Sequence, residues 1–333
     1  MVFLKKVKLN FVGFWNGFNP ETNLLYKIIC KYYDVEISED PDYIICSVFP
    51  DKNGHFYPYC KCPQVRIMYS GENFIPDFNL VDYAVSSYPL SLLDRHFSFP
   101  VCLNNYGNHF DELWKKERKF DSSILLDKPY FANFIFSHES ENGLRGEFYN
   151  RLSQYKRIES PGSFLNNIRL DYPISFVDNT KIDFQRKSKF TICFESTLHE
   201  GFVTEKITDA FLADTIPIYF GSSTVKEIFN EDAFLYCSDK IEFDELINRI
   251  IELDCNDQEY IKMLNQPVFN KTFDYEKKYK ELESFIIHIF EQPIEKVVRR
   301  SVVYAPARHN DYLQKTLLIH ENKKKKRCRF LFG

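Results

Sequence analysis

Residues 189–221 read KFTICFESTLHEGFVTEKITDAFLADTIPIYFG, and this stretch decides the fold. Lys189 to Glu195 predicts a short buried strand, and Ser196 to Gly201 a polar loop. Thr204 to about Leu212 predicts a helix, because Val203, Ile207, Ala210 and Phe211 recur at the three-to-four spacing of one apolar face. Ile216 to Phe220 is a second apolar run, closed by Gly221. Strand, loop, helix and strand in about 30 residues make a parallel crossover unit. Its charges carry the functional signal. Glu205 and Lys206 fall in the first helical turn, where the helix dipole and free backbone N–H groups would meet an anion.

The same alternation extends in both directions. Toward the N-terminus, Lys6 to Trp15 reads as a strand, and Asn19-Pro20-Glu21 as the start of a helix whose buried face is Leu24, Leu25, Ile28, Ile29 and Tyr32. Strands follow at Val35 to Ile37, Tyr43 to Phe49, Val65 to Ser70 and Asp82 to Ser86, and Phe110 to Lys119 reads as a charged helix. The polar run Asp121 to Pro129 reads as a linker. A second series begins with the strand Tyr130 to Ser137, then a helix around Arg145 to Tyr155 and a strand Lys156 to Glu159. After Gly221, Thr224 with Glu227 has the spacing of a capping box. Ala233 to Cys237 is a last strand, and helices are expected at Phe243 to Glu252 and about Tyr275 to Phe290. Strand and helix alternating twice, with a linker between, predict two doubly wound α/β domains facing each other across a cleft. The expected boundaries are 1–125, 126–292 and a tail over 293–333. Ligands of such sheets lie beyond the carboxyl ends of the strands. Glu72, Arg145 and the Glu205 and Lys206 pair all fall there.

Composition narrows the class without choosing a chemistry. The chain has 333 residues, 44% hydrophobic and 27% charged, as in ordinary globular proteins. Its 17% aromatic content suits thick cores or ring-lined sugar surfaces equally. No apolar run approaches the ~18–20 residues of a membrane span. Lys5, Lys6 and Lys8 interrupt any leader-like start, so a cytoplasmic protein is expected. Among nine cysteines only Cys60 and Cys62 are close, which is poor metal spacing, so buried reduced thiols are expected. Asp40-Pro41-Asp42 spells a D-x-D but precedes a strand, and reads as a turn. The formal net charge of −4 is uneven. From Lys296 onward many Lys and Arg face only Asp311 and Glu321, ending in ENKKKKRCRFLFG. Basic residues beside Phe330, Leu331 and Phe332 suit an anionic membrane surface, the inner face of the inner membrane in a bacterial setting. Nucleic acid is not expected as a partner.

Longer motifs carry a resemblance. FESTLHEGFVTEKITDAFLADTIPIYFGSSTV, from Phe194, resembles the signature of the α-1,3-fucosyltransferases, glycosyltransferase family ten. YSGENFIPDFNLVDYAVSS from Tyr69, SHESENGLRGEFYNRL from Ser137 and ESPGSFLNN from Glu159 resemble further segments of the same family. Ser196, Phe202 and Phe220 depart from its usual Asn, Tyr and Trp. The resemblance implies a two-domain GT-B architecture and inverting transfer of L-fucose from GDP-fucose. The implied acceptor is the 3-hydroxyl of N-acetylglucosamine in an N-acetyllactosamine-type glycan, giving a Lewis x-type product. It implies Glu72 as general base, and Arg145 and Lys206 as diphosphate-binding cations. Glu205 is placed beside the fucose and its developing positive charge. Glu195 would bond loop backbone or ribose, and Ser160, Gly162 and Asn167 would shape the nucleotide pocket, with Phe202 beside the donor. No metal is obligatory on this reading, although a divalent cation can stimulate. The alternatives are an α-1,4 or dual-linkage enzyme and a catalytically idle glycan- or nucleotide-binding protein.

Overall fold

The structure is a computed structural model describing residues 4–51, 57–104, 108–175 and 178–301, with single positions at 304, 308, 311 and 315. Two compact units form. In the first, β1 (Lys6–Val12) leads through a short 3-10 turn to α1 (Leu24–Tyr32), followed by β2 (Asp34–Ile37), β3 (Tyr43–Cys46), β4 (Val65–Tyr69), β5 (Tyr83–Ser86) and β6 (His96–Ser98). Asn19 caps only the 3-10 turn, and Asn23 caps the helix, its side chain accepting from the N–H groups of Leu25 and Tyr26. The helix therefore starts one turn later than Pro20 suggests. The sheet order is β2-β1-β3-β4-β5-β6. The pairs of β1 with β2 and β3, of β3 with β4 and of β4 with β5 are parallel. Near-continuous burial along β3, β4 and β5 is what a sheet covered on both faces requires.

The second unit starts with α2 (His109–Lys115), then β7 (Tyr130–Asn133), α3 (Leu144–Leu152), β8 (Ile158–Glu159), α4 (Thr180–Arg186), β9 (Ser188–Phe194), α5 (Glu205–Leu212) and β10 (Ile216–Phe220). It closes with α6 (Val225–Ile228), β11 (Leu235–Cys237), α7 (Phe243–Cys255) and α8 (Asp257–Leu264). Its parallel sheet runs β11-β10-β9-β7-β8. Counted from its own first strand this is the 2-1-3-4-5 order, and the first sheet has the same order with one strand added. Both are doubly wound, with the winding reversing between the first and third strands. The core of the second unit is built on rings: Phe148, Phe194, Phe220 and Phe243 meet with centroids 4.7 to 5.9 Å apart.

Two further expectations shift. Thr224 stands at the start of α6 but makes no side-chain cap, and the true capping box is Asp239 with Glu242. The run 121–129, read as a linker, holds a 3-10 turn over Ser122–Asp127.

The units are not two continuous halves. Residues 98–125 pack with the second unit, while the chain from Lys277 returns to the first through α9 (Tyr275–Glu291) and α10 (Ile294–Val297). Leu282, Ile286, Ile289 and Phe290 of α9 are buried, and the Phe290 ring lies 4.5 Å from that of Tyr43. Beyond α10 the chain is pinned by acids of the first unit. Arg299 forms a fork with Asp94 at 3.0 Å on both arms. Arg300 pairs with the fully buried Asp82, whose oxygens also take the N–H groups of Arg66, Arg299 and Arg300. Two cations of the expected membrane-binding tail are thus internal anchors. The run from Glu321 to Gly333 lies outside the described residues. Among the described residues no helix is long and apolar enough to cross a membrane.

Candidate active site

The second unit gathers charge at the carboxyl ends of β7 and β9, the point where its winding reverses. Arg145 stands in the first turn of α3 and is 5% exposed. Its Nε and Nη2 donate to the Phe194 carbonyl at 3.2 and 2.8 Å, and its Nη1 to the His138 carbonyl at 2.9 Å. The guanidinium lies over the Phe136 ring, 4.2 Å from its centroid. Three of its five N–H groups are thus spent on joining the end of β9 to the loop after β7.

Glu195 follows β9 directly and its side chain is wholly buried. One oxygen accepts the Thr204 N–H at 2.8 Å, and the other accepts the Thr204 hydroxyl at 2.8 Å and Lys206 Nζ at 3.3 Å. The Tyr219 hydroxyl approaches at 3.4 Å. Gly221 is small for this reason: a Cβ there would meet the Tyr219 hydroxyl at 2.5 Å and Glu195 Cγ at 2.9 Å. Glu195 therefore secures the start of α5, and a buried carboxylate so occupied is not open to a ribose.

Lys206 Nζ also lies 2.9 Å from the Thr204 hydroxyl and 3.6 Å from Glu205 Oε1. Behind this pair Lys181 Nζ reaches Asp209 at 2.7 Å and Glu205 at 4.0 Å, and Asp209 meets His109 Nδ1 at 2.9 Å. Lys206 and Glu205 keep 21% and 30% of their side chains exposed, so they are the members that can meet a ligand. Burial raises the Glu205 carboxyl, but the charges of Lys206 and Lys181, its own N–H and Thr204 outweigh it and hold it down to about 2. Burial lowers the Lys206 ammonium, yet Glu195 and Glu205 leave it raised overall despite Arg145. Burial lowers Arg145, with Glu195, Glu139 and Glu205 opposing. The result is a pre-formed array of fixed opposite charges.

The start of α5 was expected to offer free N–H groups to an anion. Side chains take up the N–H of the capping residue Thr204 there, and the first N–H groups of α3. Glu195 takes the N–H at the start of α5, and Glu139 takes those of Ser140, Arg145 and Gly146 at 2.7, 3.1 and 3.0 Å at the start of α3. Lys206, which seemed to require an external anion, has Glu195.

The remaining expected residues divide plainly. Ser160 is buried, its hydroxyl donating to the Phe164 carbonyl. Asn167 clips the end of β8, donating to the Ile158 carbonyl at 2.7 Å and accepting the Ser160 N–H at 2.8 Å. A Cβ on Gly162 would fall 2.4 Å from the Phe136 carbonyl oxygen. Phe202 is 4% exposed. Glu72 belongs to the first unit, in the loop beyond β4, where its N–H donates to the Ser70 hydroxyl at 3.0 Å and its side chain is exposed. Lys181, Asp209, His109 and Glu139 were missed. Lys181 and Asp183 flank apolar residues on a seven-residue helix too short for a clear period, and Asp209 reads as a polar residue on an apolar face until Lys181 is placed.

At the reversal point of the first sheet, between β1 and β3, stands an aromatic group. Phe14 and Phe18 stack at 4.0 Å, and Trp15 meets Phe18 at 5.1 Å and Phe49 at 5.7 Å, edge to face. Trp15 is 44% exposed. Among the described residues no group of three or more His, Cys, Asp or Glu is placed to hold a metal ion.

Two doubly wound parallel sheets define the GT-B class of glycosyltransferase folds. Within that class the chain belongs to glycosyltransferase family 10, the fucosyltransferases: residues 125–291 match the family's C-terminal part. Residues 9–105 match the Alpha-(1,3)-fucosyltransferase FucT N-terminal domain. The chain is similar to Alpha-(1,3)-fucosyltransferase FucT of Helicobacter pylori, 28% identical over 305 residues, 81% of this chain and 62% of that one. It spans about three fifths of that relative's length. A 4-galactosyl-N-acetylglucosaminide 3-alpha-L-fucosyltransferase 9 of Bos taurus is 26% identical over 141 residues, 42% of this chain and 37% of that one. Among solved structures, an alpha1,3-fucosyltransferase with GDP is 26% identical, with a TM-score of 0.70 over 89% of this chain and 93% of that one. A form with GDP-fucose shares the fold at a TM-score of 0.67 and 24% identity, covering 90% and 93%.

Proposed function

We propose that this protein is an inverting α-1,3-fucosyltransferase, moving L-fucose from GDP-fucose to the 3-hydroxyl of N-acetylglucosamine in an N-acetyllactosamine-type glycan. The observation that carries the reading is the partly buried array of Arg145, Glu195, Glu205 and Lys206 at the reversal point of the second sheet, most of it built on the family's signature stretch. A departing diphosphate needs fixed positive charge that does not have to reorganise as the bond breaks. Lys206, exposed at one edge and held by Glu195 and Thr204, supplies a point charge. Arg145 adds two uncommitted N–H groups on a guanidinium fixed by two carbonyls. These cations carry the diphosphate charge without an obligatory metal. Glu205, ionised and beside Lys206, is suited to the positive charge that develops on the fucose ring in an oxocarbenium-like transition state.

Glu72 is the proposed base. Its carboxylate takes the proton of the acceptor hydroxyl, the hydroxyl oxygen forms the new bond to the anomeric carbon, and the bond from that carbon to the diphosphate oxygen breaks. The electron pair leaves with GDP. The exposed Trp15, braced by Phe18 and Phe49, offers a flat apolar face to the sugar rings of the acceptor.

Substituting Glu72 tests the reading. General-base catalysis contributes roughly 10²- to 10⁴-fold. Glu72→Ala and Glu72→Gln are therefore expected to lower kcat by about that factor, with GDP affinity by calorimetry unchanged. Near-wild-type turnover in Glu72→Gln would place the base elsewhere. Absence of turnover in the wild type, with GDP still bound, would favour an idle binding protein.

A further inference from the structure

Where the strands of the second sheet begin, at the end away from Arg145 and Lys206, four cations surround one carboxylate. Asp214 precedes β10 in a left-handed conformation, φ 56°. Its Oδ2 accepts from Lys116 Nζ and Arg186 Nη1, each at 2.8 Å, and Arg118 Nε stands 3.5 Å from its Oδ1. Lys128 Nζ donates to the Arg186 and Ser188 carbonyls at 3.1 Å each, and Lys116 also donates to the Leu212 carbonyl at 2.8 Å.

Helix ends explain part of this gathering. Leu212 closes α5 and Arg186 closes α4, and a helix C-terminus carries at most about half a negative charge. Two such ends and Asp214 supply about two negative charges against four cations. Roughly two positive charges remain without a counter-ion in a largely covered space. Arg118 is the member held most loosely by Asp214, at 3.5 Å. Its side chain is 5% exposed and flanked by the rings of Phe120 and Phe211, at 5.6 and 5.5 Å. Its Nε makes no hydrogen bond among the described residues, and neither does Asp214 Oδ1. A buried guanidinium whose Nε meets its carboxylate only at 3.5 Å is costly unless a further acceptor completes it. The same imbalance acts on Lys128. Burial lowers its ammonium, and Arg186, Arg118 and Lys116 lower it further against the pull of Asp214, down to about 8.

We propose that this cluster is a binding site for a small tetrahedral oxyanion of the phosphate class. The guanidinium of Arg118 presents the planar fork that phosphate oxygens fit, and Lys116, Lys128 and Arg186 supply point charges around it. Arg186 and Lys116, 44% and 22% exposed at the side chain, form the entrance. Arg118 lies too deep for a phosphate carried on a large partner, so the occupant is a free ion. The site is separate from the proposed donor site, because β9 puts about 20 Å between Ser188 and Phe194. A bound ion ties together the segment after α2, the end of α4 and the turn from α5 into β10, and so stabilises the second unit by mass action.

The test is thermal unfolding of the full chain in inorganic phosphate against sodium chloride at matched ionic strength, with affinity from calorimetry. A saturable rise in Tm specific to phosphate is expected in the wild type and in Lys206→Ala. Arg118→Met should lose the rise, and Arg186→Gln, changed at an exposed position, should weaken phosphate binding about tenfold. No phosphate-specific rise in the wild type overturns the proposal. So does a rise that survives Arg118→Met with unchanged affinity in Arg186→Gln. A rise lost only in Lys206→Ala places the ion in the donor site and also overturns it.

Discussion

At the scale of single residues, Lys206 shows how far sequence reading goes. A cation in the first turn of a helix runs against the dipole, which makes it conspicuous in the sequence. The structure accounts for it with an anion at the end of the preceding strand, 3.3 Å away in space and eleven residues away in sequence. Glu195 was legible as a residue of interest, but not as the partner, because nothing in the spacing tells that its side chain turns under α5. Glu205 gives a pH prediction. Its carboxyl sits at about 2, against an ordinary value of 4.5. A depressed folded value means that the ion's contribution to stability is complete above the unfolded value and lost as the pH falls toward about 2. The stability difference between wild type and Glu205→Gln is thus expected to be constant from pH 7 to about pH 5 and to shrink below pH 4.5. A difference that already shrinks between pH 7 and 5 would contradict this placement of the charges.

At the scale of elements, strands and crossovers were readable because buried parallel strands are continuous apolar runs of four to eight residues. β1, β4, β9 and β10 fall within a few residues of their expected places. Short elements were not readable. α4 has no clear period in seven residues, and β6 has only three. The false capping box at Thr224 had the right spacing, but its hydroxyl takes part in a different contact, with Ser222 at 3.0 Å. That contact, in the loop after β10, also meets the loop before α5, where Gly201 donates its N–H to both Ser222 and Thr224 at 3.1 Å. Gly201 has φ 82°, and a Cβ there would lie 1.9 Å from the Ser87 carbonyl oxygen. The backbone strain and the forced shift together predict that Gly201→Ala costs about 2–5 kcal/mol, read from urea unfolding, with a loss of donor affinity as the loop moves. A variant as stable as wild type would mean that this loop is free to rearrange.

At the scale of the whole molecule, the order of elements announced two doubly wound units, but not which residues each would claim. Continuity along the chain suggested boundaries near 125 and 292. The return of the chain from Lys277 to the first unit depends on side chains far apart in sequence: Phe290 on Tyr43, Arg299 on Asp94, and Arg300 on Asp82. No local pattern reports such pairings, and composition assigned the same arginines to a basic membrane-binding tail. Removing one partner of a buried ion pair typically costs ~3–5 kcal/mol. Asp82→Ala, which also strands three backbone N–H groups, is expected to lose at least that much, and to expose residues 292–301 to hydrogen exchange. Unchanged exchange there would show that the segment is held by other contacts.

The charged array on the family signature is proposed to serve fucosyl transfer to a 3-hydroxyl. The most direct test is to incubate the full chain with GDP-fucose and N-acetyllactosamine, and to determine the linkage of the product. Fucose attached with inverted anomeric configuration at the 3-position of N-acetylglucosamine, and lost in Lys206→Ala, is the predicted result. Product linked only at another position, or fucose transfer unaffected by Lys206→Ala, would contradict it.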